Sequence, residues 1–192
     1  MQMYKCSRNF PNLPIFSKNN NSFQIDITYM HDVGSSTHKY LLTAIDVNSR
    51  QAYAYPLKTK SDAEVSSQIN RFLNDVKEKT HAPVYSITTD LGSEFNKLPS
   101  MLEAKNIMFY QVNQGDKTKM GKIERFHRTL REKFKDILPN MDYQNWTYAL
   151  PDIMANYNEN HIHRALGHAP DKYNDNDKAD QFYRYKQLYK KI

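Results

Sequence analysis

A single cysteine, Cys6, stands among 192 residues. With no second thiol there is no disulfide framework and no zinc finger within this chain, and Cys6 reads as structural. No apolar run approaches the roughly 18 residues that a membrane span requires, and the N-terminus lacks the apolar stretch of a secretory signal. A reducing compartment is therefore expected: the nucleus in a eukaryote, otherwise the cytoplasm. Strong charge of one sign is also missing. The formal charge of +6 and pI near 9.2 permit a polyanionic partner without demanding one. What remains is a globular composition, 25% charged and 39% hydrophobic, with fourteen tyrosines and nine phenylalanines to supply burial. The length suits one sizeable domain, with or without short tails.

In chain order, residues 1–22 read as an extended arm ending in the polar linker SKNNNS. In FQIDITYM, Phe23, Ile25, Ile27 and Tyr29 alternate with Gln24, Asp26 and Thr28, a strand with one apolar and one polar face. KYLLTAIDV and RQAYAYPL follow as a hairpin joined through Asn48-Ser49. Ser61 and Glu64 form a capping-box pattern ahead of Val65, Ile69, Phe72, Leu73 and Val76, the stripe of an amphipathic helix. Residues 83–90 predict a strand that ends on Asp90, with Leu91-Gly92-Ser93 as a turn. Ser100 and Glu103 suggest a second capped helix beside Pro99, NIMFYQV a further strand, and QGDKTKMG a polar loop. Trp146, Leu150, Ile153 or Met154, and Tyr157 mark another helix, in which Pro151 predicts a kink or break. NHIHRALGHAP reads as a loop and KADQFYRYKQLYKKI as a basic, aromatic terminal helix. Three strands followed by strands alternating with helices predict an α/β fold, a mixed sheet flanked by helices.

The stretch from Lys119 to Phe134 organises the chain. As a helix it places Ile123, Phe126, Leu130, Phe134 and Ile137 on one apolar stripe. Glu124 is rotated off that stripe, beside His127, Arg128, Arg131 and Lys135. A carboxylate in that company is either a metal ligand among phosphate-binding groups or part of an ordinary solvated face with i,i+4 pairing. Asp26 in mid-strand and Asp90 at a strand end are the other two acids in informative places; a surface position on an edge strand is the plainer reading of Asp26. Hard divalent cations take oxygen ligands through few carboxylates. Two such ions about 3.5–4 Å apart activate an attacking oxygen and stabilise a leaving one in phosphoryl displacement.

QIDITYM, AIDVNSRQAYAYPLKTKSDAEV, TTDLGSEF, KMGKIERFHRTLREKF and YNENHIHRALGHAP occur in the order seen in the catalytic core of retroviral-type integrases, which this chain resembles over about residues 23–172. Related cores occur in long-terminal-repeat retrotransposons, self-synthesising DNA transposons and some insertion-sequence transposases. The resemblance implies a ribonuclease-H-like fold with a five-stranded mixed sheet and a DDE triad carried onto Asp26, Asp90 and Glu124. It implies two Mg²⁺ or Mn²⁺ ions, removal of nucleotides from DNA 3′ ends, and attack of the freed 3′-hydroxyl on target DNA. It implies DNA, both element ends and target, and further copies of the chain as partners, with no membrane. Lys117, Lys119, Lys122, His127, Arg128 and Arg131 are the expected DNA-binding residues. The organisation expected is an arm over 1–22, the core over 23–172 and a basic helical tail over 173–192. Between Asp90 and Glu124 lie 33 residues, slightly fewer than in retroviral relatives, and Leu91 stands where many relatives carry asparagine. The zinc domain that usually precedes such cores, and the small DNA-binding domain that often follows, have no counterpart in these residues. A ribonuclease-H-like nuclease, and a domesticated or truncated core that only binds DNA, are the alternatives.

Other residues have plainer readings. Asp46 is assigned to turn chemistry and Asp32 to the first strands' surroundings, while Glu94 is a helix-start residue able to support the site secondarily. Zinc needs three or four ligands in fixed geometry, so His161, His163 and His168, with no cysteine beside them, are read as structural or DNA-proximal. Asn113 and Gln114 enter the polar loop and are placed near DNA. Tyr183, Tyr185 and Tyr189 are expected to pack against the core or a partner subunit in preference to stacking on bases.

Overall fold

The computed structural model describes residues 15–30, 33, 36–113, 117–140 and 145–189. Cys6, Asp32 and Gln114, and the side chains of Lys117 and Tyr189, lie outside what is described. Five strands form one sheet: β1 (Ser22–Tyr29), β2 (Tyr40–Asp46), β3 (Ala52–Leu57), β4 (Ser86–Asp90) and β5 (Met108–Val112), in the order β3-β2-β1-β4-β5. β1, β2 and β3 pair antiparallel; β1–β4 and β4–β5 pair parallel. The sheet is mixed, as expected, because hairpin connections give way to helical crossovers after β3.

α1 (Asp62–Thr80) covers one face of the sheet, where Val65, Ile69, Phe72 and Val76 join Phe23, Ile25, Leu42, Ala44 and Ile87 in one core. α3 (Gly121–Ile137) and α4 (Trp146–Glu159) cover the other, where Ile123, Phe126, Leu130, Phe134, Trp146, Ile153 and Tyr157 meet Leu41 and Ile45. The short α2 (Leu98–Glu103) buries Leu98 and Leu102 beside β5, and α5 (Asp175–Tyr189) follows α4 through a loop. The arm and α5 meet at Phe16, whose ring lies 5.7 Å from Phe182 and 5.9 Å from Tyr185; Tyr183 stays exposed. No helix is long and apolar enough to cross a membrane among the described residues.

Several local expectations shift. The capping box at Ser61 is only half formed. Ser61 Oγ accepts from the Glu64 amide, but Glu64 turns outward to the Lys58 and Thr59 amides, and Thr59 Oγ1 takes the Ser61 amide instead. Ser100 does not cap α2: Pro99 lies in its first turn and starts the helix earlier, without needing an amide hydrogen there. Pro151 leaves α4 unbroken. The strand predicted over 83–90 begins at Ser86. Residues 117–120, expected as loop and helix start, form a 3₁₀ turn, and α3 itself begins at Gly121.

Candidate active site

The polar face of β1 is not a solvent face. Gln24 and Thr28 are 1% and 8% exposed because α3 lies along them. Gln24 Oε1 accepts the amides of Lys122 and Ile123, at 3.1 and 3.0 Å, and its Nε2 donates to the Lys119 carbonyl at 2.6 Å. Two strand residues further on, Asp26 Oδ2 lies 3.7 Å from His127 Nδ1. Two further still, Thr28 Oγ1 accepts from Arg131 Nη2 at 3.0 Å. Steps of two along a strand and four along a helix advance about 6.6 and 6 Å. The two elements therefore stay in register, and the partners of Gln24, Asp26 and Thr28 fall at Ile123, His127 and Arg131.

Asp90 is brought beside Asp26 by the parallel pairing of β1 and β4. Ser22 is level with Ser86, Phe23 with Ile87 and Gln24 with Thr88, and the same offset carried on sets Asp26 level with Asp90. The two carboxylates feel each other. The Asp26 carboxyl is pushed up to about 6, first by burial and then by the charge of Asp90, with Glu94 adding to the rise and the Ile27 amide and Lys60 opposing it. Glu94 joins this acidic region through the turn at Gly92. An added Cβ there would stand 2.8 Å from Glu94 Oε2 and 3.1 Å from Asp90 Oδ1. Glu94 is held by Lys60 at 2.8 Å, and the Gly92 amide donates to Asp90 Oδ1 at 2.9 Å.

Glu124 sits in the first turn of α3 and is exposed. Among the described residues no three His, Cys, Asp or Glu side chains already converge on one metal-binding point. The structure thus brings Asp26, Asp90 and Glu94 into one acidic neighbourhood. The helix that carries Glu124 is fastened to the strand that carries Asp26. The oxygen donors and the elevated Asp26 suit a hard divalent cation, which would relieve like-charge repulsion at this point.

The expected DNA-binding residues separate. Arg128 is exposed, and Arg131 is anchored through Thr28. His127 is turned inward: its ring is held neutral, its pKa lowered to about 4 by burial and by Arg131. Lys122 also turns partly inward, its pKa lowered to about 7 by burial and by Arg50 and Arg125. Among the three histidines of the 161–168 loop, His161 stacks on Tyr157 at 5.4 Å, His163 meets both rings edge-on, and His168 bonds Asp177 at 2.9 Å. These are packing roles. Asp46 is the turn residue expected, accepting from the amides of Ser22, Asn48 and Ser49 and from Ser49 Oγ. Sequence reasoning overlooked Gln24, Thr43 and Lys60. Polar residues at every second position of β1 were visible, but the helix that would cover them was not.

A family model described as "Integrase core domain" matches residues 17–125, and a second model of the same description matches residues 108–170. Among solved structures, the crystal structure of the catalytic core domain of BIV integrase superposes with a TM-score of 0.63 at 16% identity, covering 87% of this chain and 99% of that one. None of the curated proteins compared matches.

Proposed function

This chain belongs to the integrase core domain family, and from that premise we propose that it is the catalytic core of a divalent-metal-dependent polynucleotidyl transferase that processes the 3′ ends of mobile-element DNA and joins them to target DNA. The observation that carries the proposal is that Asp26 and Asp90, on adjacent parallel strands, lie close enough for the charge of Asp90 to add to burial in raising the Asp26 carboxyl.

On this reading Asp26 and Asp90 hold the cations and Glu124 completes the set from α3. Mg²⁺ or Mn²⁺, when bound, supplies Lewis acidity at the attacking and leaving oxygens. The chain does the rest. The Gln24 clamp holds α3 against β1, so Glu124 is carried at a constant height relative to Asp26. The Gly92 amide orients the Asp90 carboxylate. Arg131, steadied by Thr28, and Arg128, exposed one turn away from Glu124, receive the phosphates of the DNA backbone, contacts that position without reading sequence.

The test is a joining assay with a labelled DNA end, a supercoiled target and Mg²⁺. Joined product is the expected result, abolished in Asp26→Asn, Asp90→Asn and Glu124→Gln variants that keep the wild-type fold by circular dichroism. Full activity in any one variant removes that residue from the mechanism. Cleavage without joining identifies a nuclease on the same fold, and metal-independent DNA binding without chemistry identifies a binding module.

A further inference from the structure

The hydrogen bonds around Asp26 determine which nitrogen of His127 carries a proton. Thr43 Oγ1 donates to the main-chain carbonyl of Asp26 at 3.0 Å. A hydroxyl has one hydrogen to give. The 2.6 Å contact between Thr43 Oγ1 and His127 Nε2 is therefore a bond donated by the imidazole. The side chain is only 13% exposed, and an imidazole that donates from Nε2 keeps a lone pair on Nδ1 in its uncharged form. Nδ1 is the atom that faces Asp26 Oδ2, at 3.7 Å. That separation is too long for a direct hydrogen bond. The other Asp26 oxygen, Oδ1, is already taken by the Ile27 amide at 2.7 Å. Two acceptors thus look toward one another at 3.7 Å, an arrangement that becomes favourable when a water beside the pair donates its hydrogens.

We propose that His127 is a positioning residue of the metal site, held by Thr43 as the Nε2-protonated tautomer so that Nδ1 accepts a hydrogen bond from the hydration shell of the divalent cation bound by Asp26. The proposal rests on the reading of Asp26 as a metal ligand. It gives the inward-turned histidine a task other than holding DNA phosphate, which a neutral ring donating into the protein does poorly. Thr43 becomes part of the same device: its hydroxyl joins the backbone of β1 at Asp26 to the ring on α3 through two successive hydrogen bonds. Partners of this outer kind commonly alter metal affinity by about 10–100-fold.

The experiment uses the full chain with ¹⁵N-labelled histidine and Mg²⁺ alone as probe. Long-range ¹H–¹⁵N correlation at pH 7 is expected to show His127 protonated on Nε2. Added Mg²⁺ should shift the Nδ1 resonance more than the Nε2 resonance, an effect lost in Asp26→Asn. Thr43→Val should mix the tautomers. His127→Gln should weaken Mg²⁺ binding by calorimetry about tenfold while leaving metal-free DNA affinity unchanged. An Nδ1-protonated ring in the wild-type chain overturns the proposal. So does Mg²⁺ binding that moves the backbone resonances of Asp26 and Asp90 without moving Nδ1, and that outcome leaves the metal-ligand reading standing. Absence of any Asp26-dependent response to Mg²⁺ overturns both. A fall in metal-free DNA affinity in His127→Gln, with Mg²⁺ binding unchanged, returns His127 to the phosphate-contact role.

Discussion

Gln24 and Ile123, 99 positions apart, are joined by a 3.0 Å hydrogen bond that ends the sequence separation between the first strand and the helix bearing Glu124. The same side chain also takes the Lys122 amide and gives a proton to the Lys119 carbonyl. One amide group therefore satisfies two of the free N–H groups at the start of α3, work usually left to a capping residue.

Gln24→Ala should destabilise the chain by about 2–4 kcal/mol, since it leaves buried amides and a carbonyl without partners. Gln24→Glu should cost less. It keeps the acceptor for both amides and adds negative charge at a helix N-terminus, which offsets part of the cost of setting a second carboxylate oxygen against the Lys119 carbonyl. Urea denaturation of the three proteins checks the order. DNA joining should fall in Gln24→Ala even at temperatures where the variant is fully folded, because Glu124 loses its fastening to Asp26.

Gly92→Ala should damage activity more than stability. The added methyl would press on Glu94 and on the Asp90 carboxylate, both side chains able to swing away at little energetic cost. A loss of joining activity of at least about tenfold is expected, from displacement of a carboxylate ligand, with a melting temperature within a few degrees of wild type. Parallel thermal melts and joining assays separate the two effects.

Asp26→Asn should stabilise the metal-free chain at pH 7. The Asp26 pKa is raised in the fold, so its contribution is fully present below the unfolded value of 3.8 and is lost as pH rises through about 6. At neutral pH the ionised group is therefore a burden, worth about 1–3 kcal/mol after allowance for its partial exposure. Denaturation at pH 7 and at pH 3.5 should show the asparagine advantage at the first and not at the second. Mg²⁺ affinity of the wild-type chain should decline as pH drops below about 6, because a ligand carboxylate must shed its proton to bind.

Asp46→Asn should destabilise the chain through its hydrogen bonds, even though burial raises the Asp46 carboxyl as it does that of Asp26. Asp46 is buried and accepts four hydrogen bonds, one from Ser22 at the start of β1 and three from Asn48 and Ser49 in the turn between β2 and β3. Asparagine keeps its oxygen for Asn48 and Ser49 but turns an amide nitrogen on the Ser22 amide, leaving that buried donor without an acceptor, so a loss of about 1–3 kcal/mol is expected. The folded fraction should bind Mg²⁺ with wild-type affinity in calorimetry. The pair of aspartates thus distinguishes an acid kept for structure from one kept for chemistry.

The strands, α1 and the apolar stripe of α3 were legible because alternation and three-to-four spacing record burial directly. Asp90 at a strand end was legible for the same reason. What periodicity could not convey was pairing. Asp26 and Asp90 are 64 positions apart in the chain, and only the parallel register of β1 with β4 sets them side by side. Nor could residue type reveal that Gln24, Asp26 and Thr28, a polar face, would be covered. Their cover is a helix whose own polar side supplies the matching groups, so each half resembles an exposed surface until the two are docked. The inward turn of His127 and Lys122 was hidden likewise: on a helical wheel both sit with the solvated cations.

The clamp at Gln24 also bears on how the acids are spaced along the chain. Since α3 is seated by contacts to β1, the length of the segment between β5 and α3 does not determine where Glu124 arrives. Residues can be added to or removed from that connection without moving the helix, provided the remaining chain spans the gap. An interval of 33 residues between Asp90 and Glu124 is then compatible with the same seating as a longer one.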